Sequence, residues 1–137
     1  MGPFVVDASM TLSWCFASEA SARGDIVLSA LRNSYAVVPS LWPFEIASSL
    51  VVAERRQRIT ASESEQFVQQ LRRLQIHIER RESLWLWQAI LPLARQHRLS
   101  AYDAADLDLA KREALPLATL DANLQQAALA LDIPVIT

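Results

Sequence analysis

Phe4-Val5-Val6-Asp7-Ala8-Ser9 opens as a short apolar strand that runs directly into an acid. The same arrangement returns near the far end of the chain. There Leu115-Pro116-Leu117-Ala118-Thr119-Leu120 leads into Asp121. Two further acids sit in comparable surroundings: Glu45 within Leu41-Trp42-Pro43-Phe44-Glu45-Ile46-Ala47, and Asp103 in Tyr102-Asp103-Ala104-Ala105-Asp106. A carboxylate at the edge of an apolar element costs several kcal/mol unless something positive meets it. Few cations lie nearby in sequence, so a bound metal ion is the leading explanation for all four.

Between these segments, short apolar strands alternate with longer helical patterns. Strands are expected at 4–6, 35–38, 76–79 and 117–120, with a short terminal strand at 134–136. The material from Asp7 to about Asn33 reads as helical, and Pro43 stands where a first-turn proline is tolerated ahead of a helix to about Arg58. Thr60-Ala61-Ser62-Glu63 has capping-box spacing for a helix to about Leu74. Further helices are expected over 83–97, kinked or interrupted by Pro92, over 101–113 and over 122–131. This alternation predicts one α/β domain spanning 1–137, a central parallel sheet of four to five short strands flanked by helices. Ligands of such sheets bind outside the carboxyl ends of the strands, where Asp7 and Asp121 should emerge. Glu45 and Asp103, near helix starts, are expected to face the same edge.

Composition narrows the function. Cys15 is the only cysteine among 137 residues, so no intramolecular disulfide forms, and a reducing cytoplasm is the expected location. The longest uncharged stretches span about a dozen residues, too short to cross a bilayer, and the amino-terminal segment has no basic leader, so neither a membrane association nor a secretory signal is expected. The net charge of −2 argues against a nucleic-acid partner at first sight. Setting aside Asp7, Glu45, Asp103, Asp106 and Asp121 leaves ten acidic residues against thirteen basic ones, twelve of them arginine. Arginine's planar fork suits phosphate contact better than lysine does.

Each acid also has an ordinary role available. Asp7 and Asp121 stand where they would cap the following helices. Ser100 and Asp103 match a capping box, with Asp replacing the preferred Glu or Gln. Yet Asp106 follows Asp103 on the same helical face, where like charges repel, and neither has a basic residue three or four positions away. Asp108 differs, because Lys111 and Arg112 lie at those spacings, which marks an ion-pair residue. Glu45 has only Leu41, Trp42, Ser48 and Ser49 as helical neighbours, leaving a long-range ion pair as its ordinary reading. Ser9 and Thr119 are local hydrogen-bonders with hydroxyls able to orient a metal-bound carboxylate. Trp85 and Trp87, two apart on a helix, cannot both face one core, so one marks an interface. Cys15, His77 and His97 lack zinc spacing, and with only Gly2 and Gly24 there is no phosphate-binding glycine loop.

Oxygen-only ligands select a hard cation, Mg²⁺ or Mn²⁺, and phosphodiester hydrolysis is the natural chemistry for an ion so held. At this point Val5-Val6-Asp7-Ala8-Ser9, Pro43-Phe44-Glu45-Ile46-Ala47, Ser100-Ala101-Tyr102-Asp103-Ala104-Ala105 and Leu117-Ala118-Thr119-Leu120-Asp121, in this order and at these intervals, resemble PIN-domain ribonucleases, especially the VapC-type toxins of toxin–antitoxin pairs. The resemblance implies a PIN-like three-layer sandwich and a Mg²⁺-dependent endoribonuclease, with Mn²⁺ able to substitute. It implies Asp7, Glu45, Asp103 and Asp121 as an acidic quartet, with Asp106 as an additional candidate. Asp7 and Asp103 become the leading ligands, Asp121 contributes directly or through water, and Glu45 ligates or orients the attacking water. An RNA substrate, a homodimer and a cognate antitoxin are the partners implied. An aspartyl-phosphate phosphotransfer domain, which needs a nearby lysine, and a non-catalytic module gripping a basic peptide are the alternatives.

Overall fold

In a computed structural model, which describes residues 1–136, the strands β1 (Phe4–Val6), β2 (Ala36–Pro39), β3 (Ile76–Glu79) and β4 (Leu117–Ala118) form one parallel sheet in the order β3-β2-β1-β4. The fifth expected strand is reduced to a single bridge between Val135 and Leu117. Alternation along the strands explains the layering. Phe4, Val6, Ala36 and Val38 face one core with helices α1 (Ala8–Leu12), α2 (Ala22–Ala30), α3 (Trp42–Arg55) and α4 (Ala61–Arg73). Val5, Val37 and Leu117 face the other, with α7 (Ala101–Glu113) and α8 (Ala122–Ala130). Between β3 and α7 lie α5 (Ser83–Trp85), a π-helical turn at Leu86–Ile90 and α6 (Leu91–His97). Each fully buried leucine, such as Leu107, Leu109 or Leu124, contributes about 1.5–3 kcal/mol to holding these layers together.

Three local departures from expectation have identifiable causes. The helical stretch after Asp7 breaks into α1, a 3-10 turn at Ala17–Glu19 and α2. Asp7 caps the first piece and Ser21 the last, each accepting a backbone N–H three residues on. The 83–97 helix is interrupted just ahead of Pro92, where the chain widens into the π turn. Proline has no N–H for the preceding turn and its ring crowds the carbonyl four residues back. β4 ends at Ala118 rather than Leu120, because Leu120 N–H and Asp121 N–H are taken by the hydroxyls of Ser9 and Thr119.

The chain runs from β1 outward to β2 and β3, then returns to the other side of β1 to form β4. The boundary between β1 and β4 is therefore the point where the strand order reverses. Open α/β sheets bind ligands in the crevice at the carboxyl ends of such strands. Asp7 follows β1 and Thr119 follows β4, so both stand at this crevice.

Candidate metal centre

Asp7 is 1% exposed and is held from several sides. Its Oδ1 accepts the Met10 N–H at 2.9 Å as the cap of α1. The Ser9 hydroxyl donates to the same carboxylate at 2.8 Å, and the Thr119 hydroxyl donates to Oδ2. Those two hydroxyls in turn accept backbone N–H groups from the loop after β4, Leu120 to Ser9 and Asp121 to Thr119, both at 3.0 Å. The two strand ends are thus tied through the carboxylate between them. Asp7 caps α1 through Oδ1 while Oδ2 accepts the Thr119 hydroxyl from the end of β4.

α7 brings in two more acids. Ser100 caps it by accepting the Asp103 N–H at 3.1 Å, yet the reciprocal bond that would complete a capping box is absent among the described residues. Asp106, one turn further on, is 1% exposed, between Ala105 and Leu107, both fully buried. One carboxylate oxygen from each of Asp7, Asp103 and Asp106 lies within 4.8 Å of the others. Asp106 Oδ2 is buried without any hydrogen-bond partner. Glu45, in the first turn of α3, and Asp121, which caps α8 by accepting the Leu124 N–H at 2.9 Å, stand outside this trio but within reach of its charge.

The electrostatics follow from burial and like charge. Burial pushes Asp7 up to about 6, against the hydrogen bonds from Thr119, Met10 and Ser9, and the Asp103 charge adds to the rise. Burial and then the charges of Asp103, Asp7 and Asp121 push Glu45 up to about 7. Asp103 is raised by burial and by Asp121. Asp106 is raised well above the usual carboxylate range by burial, then by Asp7, Glu45 and Asp103. Among the described residues no arginine or lysine forms an ion pair with any of the five acids. The long-range ion pair available to Glu45 is thus not made.

The acid trio could hold a divalent ion. Around an octahedral Mg²⁺ neighbouring oxygens stand about 3 Å apart and opposite ones about 4 Å, so three carboxylate oxygens within 4.8 Å of one another would draw together on binding. The orphaned Asp106 oxygen supplies an acceptor with nothing else to bind, and an all-oxygen donor set suits a hard cation. Two acids of the expected quartet, Asp7 and Asp103, meet in this group together with Asp106, the additional candidate, while Glu45 and Asp121 sense its charge from outside. The sequence carried a partial sign of this in the repulsive Asp103–Asp106 spacing. It carried none for Arg23, whose Nη1 donates to the Thr119 carbonyl at 3.3 Å beside the cluster.

Elsewhere the tryptophans diverge as their spacing requires. Trp85 packs against the core and donates from Nε1 to Asp108 at 2.9 Å, whereas Trp87 is 59% exposed. Among the described residues no helix is long and apolar enough to cross a membrane.

No protein-family model matches the chain, and no curated protein matches it in sequence. Solved structures do match. PAE2754 from Pyrobaculum aerophilum superimposes with a TM-score of 0.66 at 20% identity, over 93% of this chain and 87% of that one. FitAcB from Neisseria gonorrhoeae superimposes with a TM-score of 0.58 at 16% identity, over 100% of this chain and 97% of that one. The parallel sheet, its helical layers and these likenesses together establish a PIN-like three-layer fold, with a cluster of buried acids at the reversal point of its sheet.

Proposed function

We propose that residues 1–137 form a single nuclease domain, a Mg²⁺-dependent endoribonuclease that acts in the cytoplasm as the toxin of a toxin–antitoxin pair. The observation that carries this reading is the trio Asp7, Asp103 and Asp106, the first and last buried and Asp103 half-buried, with an unpartnered Asp106 oxygen and, among the described residues, no cationic side chain in an ion pair with it. A divalent ion there, Mg²⁺ or Mn²⁺, would lower the pKa of a bound water and steady charge developing on phosphorus. Asp7, Asp103 and Asp106 hold the ion, and Asp121 assists directly or through water. Ser9 and Thr119 fix the orientation of the Asp7 carboxylate. Glu45, half-buried and raised to about 7, is suited to ligation or to orienting a water and accepting its proton near neutral pH.

Asp103→Asn should abolish Mg²⁺-dependent cleavage of RNA while the fold survives, read by gel assay with and without EDTA and by circular dichroism. Equal cleavage by mutant and wild type would overturn the assignment. The partners rest on the resemblance to VapC-type toxins. An antitoxin arginine entering the acidic crevice would displace the ion, and reversing its charge should leave the ribonuclease uninhibited. A homodimer is consistent with the exposed apolar side chains Phe44, Leu84 and Trp87. Phosphotransfer is disfavoured by the only lysine, Lys111, which donates to the Leu131 carbonyl at 3.1 Å at the far end of α7.

A further inference from the structure

The acid cluster creates an electrostatic difficulty for an RNA substrate. Asp7, Asp103 and Asp106 lie together, Glu45 and Asp121 add their charge, and a phosphodiester brings more negative charge still. Binding of a polyanion there requires positive charge at the rim besides the ion itself.

Arg23 lies in the first turn of α2, whose backbone is held at Gly24 by two hydrogen bonds and a close approach to α1. Ser21 caps α2 by accepting the Gly24 N–H at 2.9 Å. Trp14 Nε1 donates to the Gly24 carbonyl at 2.9 Å. A Cβ on Gly24 would lie 2.6 Å from Ser13 Oγ, which itself donates to the Met10 carbonyl at 2.6 Å. The first turn of α2 therefore approaches the end of α1 more closely than a larger residue allows. From this turn Arg23 Nη1 reaches the Thr119 carbonyl at 3.3 Å, and the Thr119 hydroxyl touches Asp7. Gln125 Nε2 donates to the same carbonyl at 3.1 Å, so Arg23 is not needed to satisfy it.

Arg58, Arg81 and Arg112 are committed to carboxylates elsewhere. Arg23 makes no ion pair among the described residues. One of its five N–H donors is engaged and the rest of the fork is available. We propose that Arg23 is a substrate-binding residue, its tethered guanidinium contacting a phosphate of the RNA strand beside the acid crevice. The inference rests on the ribonuclease reading.

The test compares full-length wild type, Arg23→Gln and Arg23→Lys in cleavage of an RNA oligonucleotide in Mg²⁺, from about 50 to about 200 mM salt. Arg23→Gln should raise KM about tenfold, the cost of one charged hydrogen bond. Its slope of log KM against log salt should be shallower by about 0.7, the share of one phosphate contact on a single strand. Arg23→Lys should keep the wild-type slope. Calorimetric Mn²⁺ affinity should agree within about twofold for all three. An Arg23→Gln protein with wild-type KM and slope overturns the inference and leaves the nuclease intact. Parallel loss of Mn²⁺ binding also overturns it, by making Arg23 a structural tie. A wild type that cuts no RNA fails in its own arm, which removes the ribonuclease reading and the Arg23 contact with it.

Discussion

Asp106 and Asp108 lie two residues apart on α7 and live under opposite rules. Asp108 accepts Arg112 Nε at 2.8 Å and Trp85 Nε1 at 2.9 Å. Arg112 also forks onto Glu79 at the end of β3, at 2.7 and 3.1 Å, so one guanidinium joins helix to edge strand. That network lowers Glu79 through the Arg112 hydrogen bond, as expected of a satisfied carboxylate. Asp106 stands in the opposite environment, sealed from water, near other acids and, among the described residues, without a cation paired to it. The contrast separates acids that hold the fold from acids held by the fold. The first kind stabilises the chain alone; the second carries a cost that a bound metal ion would offset.

The largest expected effect tests the second kind. Asp106→Asn, like Asp103→Asn, should lower Mg²⁺-dependent cleavage by roughly 100-fold or more, since it removes a charge that positions the ion. In metal-free buffer at pH 8 the same Asp106→Asn change should raise stability by about 1–3 kcal/mol, because it relieves a buried unpaired charge. Asp108→Asn should do the reverse, losing about 1–2 kcal/mol by breaking a charge-assisted bond while leaving cleavage within several-fold of wild type. Denaturant unfolding of the two variants side by side decides it. Stability changes of the same sign would break the distinction.

Acidity offers a second test. Asp7 moves from 3.8 to about 6 and Glu45 from 4.5 to about 7 on folding. The native state therefore binds more protons than the unfolded chain through this window, so the contribution of these two groups to metal-free stability is fully present below about pH 4 and is lost as pH rises to about 7. Asp7 alone accounts for on the order of 3 kcal/mol of that decline. Mn²⁺ should raise the melting temperature strongly at pH 8 and little at pH 5, where protons compete for the same oxygens. A melting temperature that climbs with pH in EDTA would contradict the assignment of these groups.

Smaller effects belong to the paired region and to the surface. Arg112→Ala should cost about 1–2 kcal/mol, partly screened because the side chain is 26% exposed, and should change Mn²⁺ affinity only a few-fold. Trp87→Ser, at a 59% exposed position, should alter monomer stability by no more than about 0.5 kcal/mol. On the homodimer reading it should shift sedimentation toward the monomer; an unchanged profile would place the interface elsewhere.

The difference between Asp106 and Asp108 was half legible in sequence. Arg112 four residues after Asp108 marks an ion pair, because that spacing brings side chains together on any helix. The missing base around Asp106 hinted at the opposite, but burial of a carboxylate is a tertiary property. The same limit explains the helix boundaries. Pro92 announced an interruption, yet whether the chain would kink, break or widen into a π turn depended on what packs against Ile90 and Ala94. β4 was read two residues too long because the hydroxyls that intercept its last N–H groups include one from Ser9, 111 residues away.

What the sequence alone determined was the alternation of strands and helices, and hence a parallel sheet with acids at its carboxyl edge, since periodicity, proline placement and cap chemistry act over a few residues. What only the tertiary structure decided was which acids share a volume. Asp7, Asp103 and Asp106 approach within 4.8 Å because β1 and α7 pack together, and Arg23 reaches the Thr119 carbonyl because Gly24 lets α2 press against α1. Contacts between residues distant along the chain depend on how layers stack, and no local pattern encodes that distance.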